Sequence, residues 1–117
     1  METHLWMLDY GYKVRVLNGK NKDKEGYLVY CSRFGDVCID IKKRPDGNYK
    51  IREFPSNLEI LSRDNPFNIK NKERDLSNFD CAQFSLLLSN PQKVLDNKEY
   101  FSKEFINSAK SSIESSK

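Results

Sequence analysis

The chain has little of what most catalytic and membrane functions require. Among its 117 residues there is one histidine, His4, near the start. There are three cysteines, an odd number, and no pair has CxxC spacing. That excludes a simple disulfide framework, and it leaves a zinc site without the ligand spacing such sites use. No apolar run approaches the roughly 18 residues that a membrane span needs. The opening METHLWMLDYG lacks a basic start, a long apolar segment and a small-residue cleavage site. The expectation is a cytoplasmic protein without a membrane segment. No Ser-His or Cys-His set, HExxH motif, phosphate-cradling glycine loop or convergent carboxylate pair is visible. The expectation is therefore a non-enzyme without a cofactor or metal.

Charge of one sign is also scarce. The formal net charge is +3, and 32% of residues are charged while 38% are hydrophobic. Residues 1–63 carry 12 Lys and Arg against 9 Asp and Glu, and residues 64–117 carry 8 against 8. The excess lies in the first half, and it is far below that of a strongly basic nucleic-acid protein.

What is present is alternation. In GYKVRVLNGKNKDKEGYLVY, residues 11–30, Val14 and Val16 alternate with Lys13 and Arg15. A loop bracketed by Gly19 and Gly26 carries Lys20, Lys22 and Lys24 before a second alternating run. Gly11, Val14, Val16, Gly19, Lys22, Gly26 and Leu28 fall at the spacing of the KOW motif, which this segment resembles. Asp23 stands where that motif has a glycine after the lysine. KOW motifs occur in SH3-like barrels of ribosomal proteins and transcription elongation factors. The resemblance, over about residues 10–62, implies such a barrel and a nucleic-acid or nucleoprotein partner.

The strands expected from pattern and turns are 12–17, 26–32, 37–42, a fourth after Pro45-Asp46-Gly47, and a short fifth at Leu58–Leu61. A two-residue turn at Phe34-Gly35 pairs Ser32 with Val37, Cys31 with Cys38, Tyr30 with Ile39 and Leu28 with Ile41. The apolar face is then Leu28, Tyr30, Val37, Ile39 and Ile41, with Cys31 and Cys38 opposed on the outside. That pair is either a redox couple or two small side chains beneath the helices. A three-residue turn at Pro45-Asp46-Gly47 pairs Ile41 with Ile51 and makes Asp40 and Arg52 an ion pair. Phe54-Pro55-Ser56-Asn57 breaks the fourth strand. An open β-meander covered by helices is the alternative to a barrel. Trp6, Met7 and Leu8 either plug one end of the barrel or form an exposed anchor.

Residues 63–76 read as a linker, partly ordered around Phe67 and Ile69. Ser77 or Asn78 caps a helix at about 79–88, where Cys81 is expected to be buried. Asn90-Pro91 starts another helix, with a break at Asp96-Asn97. Val94, Leu95, Tyr100 or Phe101, Phe105, Ala109 and Ile113 make its apolar stripe. The end, SAKSSIESSK, reads as frayed. Leu86-Leu87-Leu88 is too apolar for exposure in a monomer.

The fold class is thus α+β: a small five-stranded SH3-like barrel over 1–62, a linker over 63–76, and two or three helices over 77–117. The candidate contacts are Lys20, Lys22, Lys24, Lys42, Lys43, Arg44, Lys50 and Arg52 for phosphates, with Tyr27 and Phe34 (and Tyr12) as rings for stacking. Three readings stay open. The first is a non-catalytic module for nucleic acid or a nucleic-acid-associated protein. The second is a small inhibitor of a partner enzyme, of toxin-immunity or phage anti-defence type, suggested by size, interleaved charge and an Asn/Lys/Ser-rich composition. The third is a structural homodimer formed through the C-terminal helices.

Overall fold

The computed structural model describes residues 2–32, 34–44, 47–69 and 78–115, with the side chains of 42–44, 48 and 78 excepted. The fold is α+β, a five-stranded antiparallel sheet followed by helices. The strands are β1 (Lys13–Val16), β2 (Glu25–Cys31), β3 (Val37–Arg44), β4 (Gly47–Glu53) and β5 (Leu58–Ser62). Their order across the sheet is β4-β3-β2-β1-β5. The helices are α1 (Asn78–Ser89), α2 (Pro91–Asp96) and α3 (Lys103–Ser115). Residues 1–79 and 80–117 make two compact units.

In the first unit the alternation of β1 becomes a clean inside-outside pattern, with Val14 and Val16 fully buried. They join Leu28, Cys31, Val37, Ile39, Ile41, Leu58, Phe79 and Leu8 in one core. Full burial of such side chains stabilises by about 1.5–3 kcal/mol each. Leu8 sits in this core and Leu5 packs against it, so the leading segment plugs the core. Trp6 stays half-buried and stacks on His4 with centroids 5.6 Å apart. Phe79 meets Tyr10 edge-on at 5.0 Å.

The connection between the two edge strands forces the sheet to curl. Laid flat, five strands at ~4.8 Å spacing put β4 and β5 about 19 Å apart. Residues 54–57 span at most about 17 Å even fully extended. They are not extended, because Pro55–Asn57 form a 3-10 turn, which rises only ~2 Å per residue. Among the described residues no ladder joins β4 to β5.

The strand pairing departs from the expected register in two places. Leu28 faces Ile39, but Tyr30 faces Cys38 and Cys31 faces Val37, so Val29 is an extra residue in β2. Such a bulge reverses the inside-outside parity of the residues after it. Tyr30 therefore points outward, 49% exposed, and Cys31 is buried. The connection is longer than a two-residue hairpin and side chains hold it. The Ser32 hydroxyl donates to the Asp36 carboxylate and accepts from the Phe34 amide, and Ser32 N–H donates to Asp36 O at 2.9 Å. Cys31 and Cys38 lie on opposite faces, which rules out the expected opposed pair.

In the β3–β4 hairpin, Ile39 pairs with Ile51, Asp40 with Lys50 and Ile41 with Tyr49. This is a shift of two residues from expectation, so Ile51 keeps its face and packs on the core. Arg52 meets Asp36 at 3.9 Å in place of Asp40. The Pro45-Asp46 part of the expected turn lies outside the described residues.

In the second unit, Asn90 caps α2 by accepting from the Lys93 amide at 3.3 Å, as the Asn-Pro signal requires. The helix stops at Asp96 and a 3-10 turn follows at Lys98–Tyr100. Ser102 caps α3 through the Phe105 amide at 3.2 Å. Phe105 packs on Phe84 and Phe101, and Val94 and Ala109 are buried. Three expectations are corrected. The serine-rich end is helical through Ser115, where Ser108 and Ser115 bond the carbonyls four residues back. Cys81 is exposed. Leu88 is 85% exposed, while Leu86 and Leu87 are half-buried.

The thiols should react in a fixed order. Burial pushes the Cys38 thiol above its ordinary value, against the pull of Lys50 and Arg52. At neutral pH its thiolate is scarce, so Cys81 labels first, Cys38 slowly and Cys31 last. Raising the pH past the ordinary thiol range should accelerate Cys38. Mass spectrometry of timed alkylation reads this order, and an oxidant should give no Cys31–Cys38 disulfide.

Candidate nucleic-acid interface

The β1–β2 loop, residues 17–24, lies across the gap between the edge strands. Its backbone is locked by Asp23 N–H to Val16 O at 2.8 Å and Val16 N–H to Lys24 O at 2.9 Å. This geometry requires a left-handed residue, and Asp23 supplies it at φ 68°. Aspartate tolerates that region better than most residues with a Cβ, because its short polar side chain bonds locally. Asp23 thus adopts a conformation for which glycine is usually chosen.

Side-chain amides fasten the loop from outside. Asn57 bonds Asn18 twice, accepting from its amide at 3.0 Å and donating to its carbonyl at 2.9 Å. Leu17 N–H donates to Asn57 O at 2.9 Å. The Glu53 carboxylate, at the end of β4, accepts from Asn21 and Asn57, each at 3.0 Å. Asn21 is 6% exposed, so its side chain has almost no water to fall back on. Hydrogen bonds to a charged group of this kind contribute about 1.5–3 kcal/mol each. Asn21 also accepts from Lys24 Nζ at 3.1 Å, and that ammonium lies 5.2 Å from the centre of the Tyr49 ring.

The expected contact residues separate into groups. Lys20 and Lys22 are exposed on the fastened loop. Lys24 is half-buried and held by Asn21 and Tyr49. Lys50 is exposed on β4 opposite Asp40. Arg52 is exposed beside Asp36, and an ion pair this open to solvent is worth about 0–1 kcal/mol. The backbone of Lys42, Lys43 and Arg44 runs along the end of β3, and their side chains lie outside the described residues. Phe34 is 77% exposed at the β2–β3 turn. Tyr12 packs against the core. Tyr27 is covered by Phe67, whose ring meets it edge-on at 4.9 Å.

Phe67 is delivered by a closed loop after β5. The Asn65 side chain bonds both the amide and the carbonyl of Ile69, at 2.8 and 3.0 Å. Asn65 fills the space beside Gly11, where an added Cβ would come within 1.8 Å of its side-chain oxygen. Gly11 also holds φ 78°, so it has two reasons to lack a side chain.

The register then collects residues that the sequence did not join. Tyr30, Cys38 and Arg52 form one cross-strand row on the outer face, and Tyr27, Asp40 and Lys50 form the next. Phe54, 60% exposed, follows Glu53 directly. The Asn21–Glu53 bond instead fastens the lysine loop to the end of β4 on the face that Glu53 shares with Ile51, opposite to Arg52. Sequence reasoning missed Tyr30, because nothing marks the bulge at Val29. It also missed the bracing asparagines, which read as ordinary loop residues. Phe54 had a signal, since it continues the outward Lys50, Arg52 alternation. The neighbouring cations of the sheet are neutralised: Arg15 lies between Glu25 and Glu59, at 4.0 and 3.2 Å, and Lys13 lies 3.7 Å from Glu25.

Among the described residues no cluster of His, Cys, Asp and Glu is placed to hold a metal, and no helix is long and apolar enough to cross a membrane. No family model matches the chain, and no curated protein matches it. Among solved structures it is similar to part of one chain in a crystal structure of the MjSpt4:Spt5 complex, at 14% identity and a TM-score of 0.42. That match covers 48% of this chain and 38% of the other.

The left-handed residue gives a direct test of the loop. Asp23→Gly should leave thermal stability equal or higher, while Asp23→Ala, which keeps the Cβ but loses the polar side chain, should be less stable than Asp23→Gly by about 1–2 kcal/mol and fall below the wild type by less than that. Denaturant melts of the two variants check this.

Proposed function

We propose that this chain is a non-catalytic binding module that contacts nucleic acid, alone or within a nucleoprotein machine, through the β1–β2 loop. The observation that carries the reading is a loop with two exposed lysines, Lys20 and Lys22, braced at both ends by buried or half-buried amides. Phosphate contact needs positive groups at loop tips. A braced loop offers them with less ordering entropy to lose on binding than a mobile one. Lys50 and Arg52, exposed on β4, add positive groups to this reading. Lys24 acts here as a brace for the loop, and Tyr27 as a support for Phe67.

The salt dependence of oligonucleotide binding tests this. Each of Lys20→Ala and Lys22→Ala should weaken binding across sequences and reduce the slope of log K against log salt by about 1. Unchanged slopes in both variants would remove the loop from the interface. Binding to a single protein, insensitive to nuclease, would favour the partner-enzyme reading instead.

A further inference from the structure

We infer that the outer face of β2, β3 and β4 is a stacking platform for unpaired bases, so that the ligand is single-stranded nucleic acid. This rests on the nucleic-acid reading above and names the form of the ligand. Four rings stand in water on or beside this face: Tyr30 at 49% exposure, Phe54 at 60%, Phe67 at 66% and Phe34 at 77%. They belong to different segments, and each is held by a separate local device. Tyr30 is turned outward by the bulge at Val29. Phe34 stands on the turn closed by Ser32 and Asp36. Phe54 precedes the 3-10 turn that Asn57 fastens. Phe67 is braced edge-on by Tyr27 and carried by the Asn65–Ile69 loop.

Placement and charge identify the occupant. Exposed cations stand among the rings: Arg52, weakly paired with Asp36, shares a cross-strand row with Tyr30, and Lys50, opposite Asp40, lies in the next row, where Tyr27 supports Phe67. Alternating rings and positive groups suit a ligand that repeats a flat base and a phosphate. Duplex nucleic acid presents its bases already stacked, so it has no free ring faces to offer such a surface.

The test compares a short mixed-sequence single strand with the duplex it forms with its complement, as DNA and as RNA. The variants are Phe34→Leu, Phe54→Leu and Tyr30→Thr, with circular dichroism and thermal melts confirming the fold. Leucine keeps the apolar surface but removes the flat ring, so it separates stacking from general hydrophobic docking. Wild type should prefer the single strand, and each substitution should weaken that binding about five-fold to a hundred-fold. The salt slope should not change, because no phosphate contact is lost. Equal binding of both forms with ring variants unaffected, while Lys20→Ala still lowers the slope, overturns the platform and leaves the loop reading standing. No binding of any oligonucleotide at low salt overturns both.

Discussion

The carboxylate of Glu53 is the constraint on which the rest of the first unit depends. It is the last residue of an edge strand, and it accepts hydrogen bonds from Asn21 of the β1–β2 loop and Asn57 of the 3-10 turn. Those two contacts do the work that a β4–β5 ladder does in a fully closed barrel. They tie the end of one edge strand to the start of the other, and they lay the lysine loop across the opening. The apolar core supplies most of the stability, but it is indifferent to where Lys20 and Lys22 point. The amide bonds decide that.

This arrangement separates two kinds of positive charge. Lys13 and Arg15 lie on a sheet surface against Glu25 and Glu59, where they neutralise one another. Lys24 is absorbed into the bracing network. Lys20, Lys22 and Lys50 are exposed. A modest net charge of +3 is therefore compatible with a locally positive edge.

Much of the fold was legible in the chain, for physical reasons. Strict alternation in β1, the Asn-Pro signal before α2 and the break at Asp96-Asn97 each have one cheap structural solution, and that solution is found. The register of β2 against β3 was not legible. Tyr30 and Cys31 are each acceptable inside, and a single extra residue at Val29 reverses which one is buried. The proposed platform depends on that reversal, because it turns Tyr30 outward. The bracing of the loop was hidden for another reason. Asn18, Asn21 and Asn57 gain their meaning only when the curled sheet brings residues 32 to 39 positions apart into contact.

The central claim, that Glu53 fixes the conformation of the lysine loop, is tested most directly by amide hydrogen exchange on Glu53→Ala. The account predicts that protection falls at Leu17, Asn18 and Asp23, whose amides hold the loop, while Leu28, whose amide bonds Tyr12 within the sheet, keeps its protection. Unchanged protection at those three amides, or a loss spread evenly over the whole sheet, would contradict it.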